Sequence, residues 1–368
     1  MNAKKLGFGL MRLPLTDPND QKSIDIELTK QMVDTFIEKG FTYFDTAWMY
    51  CGHESENATR KALVERHPRD SFTLATKLHA AYIKTEDDRD RIFNEQLAKT
   101  GVEYFDYYLL HDLRVSHYQI YKDLHCFEWL REKKAKGLVK HMGFSFHDTA
   151  EVLDQILTEQ PDIEVVQLQI NYLDYDDPGI QSRACYDVAV KHGKKVIVME
   201  PVKGGALANL PREAAEELSK LGEGSAASHA LRFVASHPEV FMVLSGMGNV
   251  EMMNDNINTF TNFVPIKESD MEIFGKAREI IRKARLIPCT KCNYCADVCP
   301  SDVPISEMFS IFNELAAARI SRDEAKERLS KHSEKLEACI KCGKCESNCP
   351  QSIDIRERLL KIERIVKG

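Results

Sequence analysis

Eight of the 11 cysteines lie in two short groups that share one spacing, near the end of the sequence. Cysteines that recur every third residue can place three thiolates around a single iron–sulfur cubane. A proline follows the fourth cysteine of each group and biases it towards an extended backbone, away from the loop. In proteins with two such groups, the fourth cysteine ligates the other cluster. The spacing therefore predicts two 4Fe-4S clusters, one held by Cys289, Cys292, Cys295 and Cys349 and the other by Cys339, Cys342, Cys345 and Cys299.

The same cysteines allow two other interpretations. Zinc sites also use Cys-x2-Cys pairs, but four cysteines with x2-x2-x3-Pro spacing are not the zinc pattern. Clusters with a purely structural role stay open, because metal ligation can supply the folding energy of a small domain. The scattered Cys51, Cys126 and Cys185 are interpreted as packing residues. The odd cysteine total and the lack of a signal-peptide pattern favour metal chemistry in a reducing cytoplasm.

Short apolar runs alternate with amphipathic stretches through the first part of the chain. Two of these stretches, 24–39 and 117–136, end in a lysine that is followed by a glycine, which is typical of a helix C-terminus. Eight strands alternating with helices predict a parallel (β/α)8 TIM barrel, an α/β fold, although an open doubly wound sheet would give the same alternation. The predicted strands are Leu6–Leu10, Thr42–Thr46, Phe72–Lys77, Phe105–His111, Val139–Ser145, Val165–Gln169, Lys195–Met199 and Phe241–Ser245.

The pattern changes after about residue 264, where the strands stop. We expect a barrel over residues 1–264, a linker helix over 265–288, and a small helical domain that holds the clusters over 289–368. The cysteine groups are separated by a helical stretch at about 306–336. That arrangement resembles the α-helical two-cluster ferredoxin module.

Four polar residues stand near the carboxyl ends of predicted strands: Asp45, Tyr50, Lys77 and His111. In a barrel, polar residues at these ends are typical of an active site, because the loops that follow the strands build it. Each residue alone also fits an ordinary structural role. Their order and spacing, with the motif Asp45-Thr-Ala-x-x-Tyr50-x-Gly, resemble the aldo-keto reductase family over residues 1 to about 262. One extra residue precedes the glutamate of the motif, which is Glu56.

The resemblance implies a catalytic tetrad of Asp45, Tyr50, Lys77 and His111. Reduction of a carbonyl by hydride leaves charge on oxygen, and Tyr50 would be the general acid that protonates it. The pKa of an unperturbed tyrosine is about 10, and an adjacent Lys77 would lower it. Asp45 would keep Lys77 charged and oriented. His111 would hydrogen-bond the carbonyl oxygen and stabilise developing charge.

The resemblance also implies contacts to NADH or NADPH, with departures from the family pattern. Ser145 fits the contact to the nicotinamide carboxamide, but Phe146 replaces the usual asparagine. Met199 stands where an aromatic residue usually covers the ring. The segment after the last strand carries no basic residue for a 2′-phosphate, which favours NADH. The expected cofactor-binding residues are Ser145, Gln167, Met199, Lys203, Gly204, Gly246 and Asn256.

Three functions follow from this combination. The first is an NAD(P)-dependent oxidoreductase that interconverts a carbonyl and an alcohol, with the clusters coupled or adjacent. The second is an electron-transfer protein that holds a flavin in the barrel and exchanges single electrons with a ferredoxin or another carrier, since a flavin can convert between hydride and single electrons. The third is a redox-sensing barrel protein.

Composition limits the partners. The hydrophobic share of 43% and the charged share of 29% are ordinary for a soluble globular protein. The net charge of -7 argues against nucleic-acid binding, which requires a basic surface. No apolar run approaches the ~18 residues that cross a bilayer. We therefore expect a cytoplasmic protein with a small-molecule substrate, no nucleic-acid partner and no membrane partner.

Overall fold

A computed structural model of the chain describes residues 4–18, 20–284, 286–317 and 319–367. Eight parallel strands close into a barrel in the order β1 to β8. Strand β1 pairs with both β2 and β8, so the sheet has no edge and the open doubly wound alternative is wrong. The strands are β1 Leu6–Gly9, β2 Tyr43–Asp45, β3 Thr73–His79, β4 Phe105–Leu113, β5 Val139–Phe146, β6 Val165–Gln169, β7 Lys195–Met199 and β8 Val240–Gly246.

Apolar side chains fill one end of the barrel interior. Strand β6 is buried along its whole length, as expected for a parallel strand that is covered on both faces. The residues of this interior cluster come from six different strands, so the barrel is a packed core and not a pore. They are Tyr43, Ala75, Leu109, Val165, Ile197, Met242 and Leu244.

Helices follow most strands, and local sequence explains several of their ends. Asp25 caps the first helix by accepting a hydrogen bond from the backbone N–H of Leu28. The single helix expected over 117–136 is wrong, because His125 adopts φ +48° and divides it into two helices. The helices up to residue 261 are α1 Ile26–Glu38, α2 Tyr50–His53, α3 Ser55–Thr59, α4 Glu86–Thr100, α5 Val115–Asp123, α6 Cys126–Ala135, α7 Ala150–Glu159, α8 Ser182–Lys191, α9 Arg212–Leu218, α10 Ala226–Ala235 and α11 Val250–Thr261.

The chain forms two compact units. The first contains the barrel, from residues up to 201 together with 230–266, and the second contains 202–229 together with 267–368. The second unit therefore includes a stretch, 202–229, that the sequence analysis assigned to the barrel. Among the described residues, no helix combines the length and apolar character needed to cross a bilayer.

The second unit is helical, as expected. Its core packs Phe309, Leu329 and Leu359 from three different helices, together with Ile287. After residue 266, the helices of the second unit are α12 Met271–Lys283, α13 Tyr294–Asp297, α14 Ile305–Ala316, α15 Arg322–Ser330, α16 Ser333–Glu337, α17 Lys344–Ser347 and α18 Ile355–Lys367. Helix α12 lies within the predicted linker, of which Arg285 is outside the described residues.

The two cysteine groups form a structural repeat with an offset of 50 residues. We name Cys289–Cys299 loop 1 and Cys339–Cys349 loop 2. A short helix, α13 or α17, lies within each loop, and a longer one, α14 or α18, follows it. Equivalent positions share left-handed backbone angles: Lys291 and Lys341 have φ of +57° and +56°, and Asp302 and Ser352 both have +48°.

Candidate active site and cluster sites

The structure brings the four tetrad residues together inside the barrel unit. Asp45 ends β2, Tyr50 begins α2 directly after it, and Lys77 and His111 lie on β3 and β4. All four side chains are buried. The rings of Tyr50 and His111 meet edge to face, with their centroids 5.8 Å apart. The predicted residues therefore form one cluster.

Lys77 is the centre of this cluster. Its Nζ donates to Asp45 Oδ1 at 2.5 Å and to the backbone oxygen of Thr46 at 2.7 Å. The same Nζ lies 4.8 Å from the centroid of the Tyr50 ring. A buried ammonium group is stable only when it is paired, and here the Asp45 carboxylate pairs it.

The protonation states follow from this geometry. Burial acts to lower the pKa of Lys77, but the interactions with Asp45 and Tyr50 together outweigh it and raise this pKa above its usual value. Burial raises the pKa of Tyr50, and the Lys77 charge opposes that rise without cancelling it, so the expected net lowering is not found. Burial, with His79 and Lys77 nearby, holds the pKa of His111 well below its usual value. At neutral pH the site therefore holds a neutral phenol, a lysine cation and a neutral imidazole.

Glu56, the last residue of the family motif, supports β3 from behind. Its Oε1 accepts hydrogen bonds from Thr76 Oγ1 at 2.8 Å and from Gln96 Nε2 at 2.9 Å. Gln96 Nε2 also donates to the backbone oxygen of Lys77 at 3.0 Å. Burial raises the pKa of Glu56 to about 7. The sequence marks Glu56 only as part of a motif and indicates no role for it.

An extra residue in β4 places Asp112 next to His111. The register of β4 against β5 shifts between Leu110 and Leu113, and Asp112 has φ +57°. Its backbone N–H donates to Ser145 Oγ at 2.7 Å instead of to a backbone carbonyl. This β-bulge therefore orients the Ser145 hydroxyl, in keeping with the frequency of bulges beside active sites.

The Asp112 carboxylate gathers basic side chains that the sequence analysis did not identify. Arg114 Nη2 approaches its two oxygens at 2.6 and 2.9 Å. His79 Nε2 lies 3.6 Å and His117 Nδ1 3.5 Å from Asp112 Oδ2. Burial acts to raise the pKa of Asp112, but hydrogen bonding from His79 and the positive neighbours outweigh it and hold it well below its usual range.

The group of His79, Asp112 and His117 has the compactness of a metal site, with its donor atoms within 4.8 Å of one another. Its hydrogen bonds argue against that use. His79 Nδ1 accepts from the backbone N–H of Ala81, so the proton of a neutral ring is on Nε2, which faces Asp112. His117 Nδ1 donates to the backbone oxygen of Asp112. The nitrogens that face the carboxylate therefore carry protons and do not offer lone pairs to a metal.

Ser145 and Gln167 lie side by side, since they are register partners on β5 and β6. Both are buried. Gln167 Oε1 is buried and has no hydrogen-bond partner among the described residues. A buried carbonyl oxygen without a partner fits an amide N–H donor from a ligand, because leaving it unsatisfied is costly. The pair therefore fits the carboxamide of a nicotinamide, as the resemblance implied.

The other residues expected to contact the cofactor are distributed over both units. Met199 is half-buried at the end of β7, and Asn256 on α11 donates to Ser245 Oγ at 2.8 Å. A Cβ atom placed on Gly246 would meet Arg12 Cδ at 3.0 Å, so the Arg12 side chain covers the end of β8. Arg12 is a cation that the sequence pattern did not indicate, because the family pattern places its basic residues after the last strand.

Lys203 and Gly204 belong to the second unit, where they lie against loop 1. Lys203 is buried, and its Nζ donates to Gln351 Oε1 at 3.2 Å. A Cβ atom on Gly204 would meet the backbone oxygen of Thr290 at 2.3 Å, and Gly204 itself has φ +61°. Glycine is therefore required at 204 by close packing on Thr290. The expected contact of both residues with the cofactor stays a prediction.

The structure sorts the eight cysteines of the repeat into two cavities. None of the eight forms a disulfide. Each cavity takes three cysteines from one loop and the fourth from the other, which matches the predicted sharing. The first cavity is lined by Cys289, Cys292, Cys295 and Cys349, and the second by Cys299, Cys339, Cys342 and Cys345.

The surroundings of both cavities fit an iron–sulfur cluster. The backbone N–H of Lys291 donates to Cys289 Sγ, and that of Val303 donates to Cys299 Sγ, both at 3.4 Å. Such N–H to sulfur bonds and an apolar wall are what set the potential of a bound cluster. Ile305 supplies apolar wall to both cavities, and Phe309 to the first.

Comparison with known proteins agrees with this geometry. The aldo/keto reductase family model matches residues 5–279, and the 4Fe-4S dicluster domain model matches residues 288–353. A curated relative, the uncharacterized oxidoreductase YqkF of Bacillus subtilis (strain 168), is 22% identical over 294 residues, which are 70% of this chain and 87% of the relative.

Solved structures show the same barrel. The holo form of aldo-keto reductase AKR11C1 from Bacillus halodurans aligns with a TM-score of 0.60 and 21% identity, over 74% of this chain and 91% of that one. An aldo-keto reductase from Klebsiella pneumoniae in complex with NADP and acetate aligns with a TM-score of 0.59 and 17% identity, also over 74% and 91%. The family model alone spans about three quarters of the sequence. This chain therefore belongs to the aldo/keto reductase family and carries a C-terminal 4Fe-4S dicluster domain.

Proposed function

We propose that this oxidoreductase transfers hydride between a nicotinamide cofactor and a carbonyl or alcohol substrate, with Tyr50 as the general acid and base. The observation that carries the proposal is the buried arrangement of Lys77 between Asp45 and Tyr50, with His111 against the same ring. A buried lysine and tyrosine paired in this way are typical of a site that moves a proton.

In the reducing direction, Tyr50 gives its hydroxyl proton to the carbonyl oxygen. Burial keeps the pKa of Tyr50 above its usual value, so the phenol retains its proton at neutral pH until the reaction generates negative charge. The phenolate that remains lies beside Lys77, whose ammonium group stabilises it. Asp45 holds Lys77 in place and keeps it charged.

His111 acts on the same oxygen without exchanging a proton. Its lowered pKa keeps the ring neutral, so it offers one N–H as a hydrogen-bond donor to the developing oxyanion. The end of the strand that carries His111 also carries Asp112, whose carboxylate pairs with His79 and Arg114. A neutral donor avoids a second cation next to Lys77, which the burial of the site disfavours.

The nicotinamide, when bound, supplies or accepts the hydride. Ser145 and Gln167 would hold its carboxamide, and Met199 would cover its ring. Gly246, Asn256 and Arg12 would face the nucleotide end. A contact of Lys203 and Gly204 with the cofactor stays a prediction from the sequence. NADP in the Klebsiella relative supports a nicotinamide cofactor. We propose NADH as the preferred form, because the segment after β8 lacks basic residues for a 2′-phosphate. Arg12, whose side chain covers the end of β8, would hold the pyrophosphate.

We propose that the two cysteine cavities hold one 4Fe-4S cluster each, with the shared ligand sets that line them. The alternative function, electron transfer through a flavin in the barrel, differs in a visible property. It requires a flavin that an acid extract of the anaerobically purified protein would release. A colourless extract, once the clusters have been destroyed, favours the nicotinamide reductase.

The test compares Tyr50→Phe with the wild type in steady-state reduction of a panel of aldehydes and ketones. Loss of the proton donor is expected to lower kcat by about 10²- to 10⁴-fold and to leave nucleotide binding unchanged. Tyr104→Phe is the matched control, because Tyr104 precedes the first residue of β4, whereas His111 lies near the last. Equal turnover by Tyr50→Phe and the wild type on every carbonyl would refute the proposal.

A further inference from the structure

The repeat of loops 1 and 2 presents the same backbone twice in the second unit, but with different surroundings. Thr290 and Ile340 occupy equivalent positions, 50 residues apart. The exposed fraction of Thr290 is 1%, whereas that of Ile340 is 68%. A large aliphatic side chain is thus exposed on loop 2 at the position where loop 1 buries a small polar one.

The chain itself covers loop 1. The backbone at Gly204 lies directly on Thr290, as the 2.3 Å approach of a Cβ atom to the Thr290 oxygen requires. Lys203 adds a buried hydrogen bond to Gln351, which follows the cysteine that loop 2 contributes to the first cavity. Loop 1 is therefore the inner face of the repeat within this unit.

Loop 2 is uncovered and basic. Cys342 is exposed, unlike the other seven cysteines of the repeat. Lys341, Lys344 and Arg356 are the charged residues among those that line the second cavity, whereas the lining of the first has none in the described chain. Glu346 pairs with Arg356 at 2.7 Å, but neither lysine forms an ion pair with a described residue. Two lysines outside any ion pair among the described residues thus lie within four residues of an exposed isoleucine, in a chain with a net charge of -7, and Glu363 is the carboxylate on which the charge of Lys341 acts.

We propose that residues 340–344 with Arg356 form a docking surface for a small acidic protein that carries single electrons. An apolar centre with a charged rim is typical of protein interfaces, and the rim steers a partner of opposite charge. A cluster bound by Cys299, Cys339, Cys342 and Cys345 would accept the one electron that the reduced carrier gives up. No bond forms or breaks, and no proton moves. This inference rests on the proposed cluster ligation.

The test uses the full-length holoprotein with both clusters, mixed rapidly without oxygen with an acidic 2Fe-2S ferredoxin that was reduced beforehand, and frozen at successive times. The loss of the paramagnetic signal of the reduced 2Fe-2S cluster, which differs from that of a 4Fe-4S cluster, gives a second-order rate constant. We expect this constant to fall as salt rises, and to fall about 10-fold or more in Lys341→Glu/Lys344→Glu at low salt. Ile340→Ser, which leaves the charge unchanged, is expected to slow the reaction at all salt concentrations.

Lys291→Glu is the matched control, since Lys291 has the same backbone angle in loop 1 as Lys341 in loop 2. Its rate constant is expected to stay within about twofold of the wild type. The proposed docking surface would be overturned if Lys291→Glu slowed the reaction as much as the loop 2 changes do. It would also be overturned if the rate constant depended neither on salt nor on the loop 2 changes. Sedimentation showing that the wild type self-associates and that Ile340→Ser abolishes this association would overturn it as well, because the surface would then be an interface between copies.

Reduction by dithionite separates the two levels of the inference. A paramagnetic signal from reduced clusters in every variant, with reduction by the ferredoxin slowed only in the loop 2 variants, supports both the clusters and the docking surface. A wild type that gives no such signal and holds no iron would refute the cluster ligation, and with it the docking surface. Intact clusters that do not distinguish the variants would refute the docking surface alone.

Discussion

Glu56 makes the stability of the barrel depend on pH in a direction that can be calculated. Burial raises its pKa from 4.5 to about 7, because the charged carboxylate is disfavoured away from water. The unfolded chain therefore releases this proton at lower pH than the folded one, and the fold loses stability as pH rises from about 4.5 through 7. A difference of 2.5 pKa units corresponds to about 3 kcal/mol between pH 4 and pH 8.

The substitution Glu56→Gln removes this titration. Its amide keeps an acceptor for Thr76 and Gln96, whose bonds to Oε1 hold the group in place. The amide nitrogen occupies the position of Oε2, which has no partner among the described residues, so the variant carries a constant offset at every pH. Relative to the wild type, the free energy of unfolding of Glu56→Gln should rise by about 3 kcal/mol from pH 4 to pH 8.

Urea unfolding followed by tryptophan fluorescence measures this difference. The two tryptophans of the sequence, Trp48 and Trp129, are both in the barrel unit, so the signal reports on the unit that contains Glu56. Glu103→Gln, which changes an exposed carboxylate, should run parallel to the wild type at every pH. Parallel curves for Glu56→Gln and the wild type would show that Glu56 is not the buried titrating group and would refute the reasoning.

Two further predictions concern the ligands and the cofactor. If Cys292 and Cys349 hold the same cluster, the double variant Cys292→Ala/Cys349→Ala should lose about four irons per chain, no more than Cys292→Ala alone. The double variant Cys292→Ala/Cys299→Ala should instead lose iron from both clusters. Iron analysis that shows the reverse pattern would refute the sharing. If Arg12 holds the cofactor pyrophosphate, Arg12→Ala should raise KM for NADH and NADPH alike by about tenfold, as the loss of a charged hydrogen bond implies, with Arg66→Ala as the control. An effect confined to NADPH would place Arg12 at the 2′-phosphate instead.

Much of the barrel could be predicted because its strands are short apolar runs with clear ends. Strands β6 and β7 lie at the predicted residues, and the others differ by one or two at their ends. Sequence periodicity did not indicate the break at His125, because a single residue in the left-handed region leaves the apolar pattern unchanged. It also did not indicate the bulge at Asp112, which depends on the register between two strands.

The candidate site was predictable to the extent that its residues belong to local motifs. The cysteine groups follow from their spacing and the tetrad from the family resemblance, and the structure gathers each set. Arg12, His79 and the packing of Gly204 on Thr290 depend on contacts between residues far apart in the sequence. The burial of Tyr50 could not be predicted from the sequence either, and it reverses the expected direction of the Tyr50 pKa shift.

The most direct test of the central claim follows the hydride and the proton donor together. The wild type and Tyr50→Phe are incubated without oxygen with NADH that carries deuterium at the transferable position and with a reactive aldehyde, and the product is analysed by mass spectrometry. The proposed function predicts an alcohol with one deuterium from the wild type, formed at least 100-fold more slowly by Tyr50→Phe, as removal of a general acid implies. Deuterium-free product, or equal rates from both proteins, would contradict it.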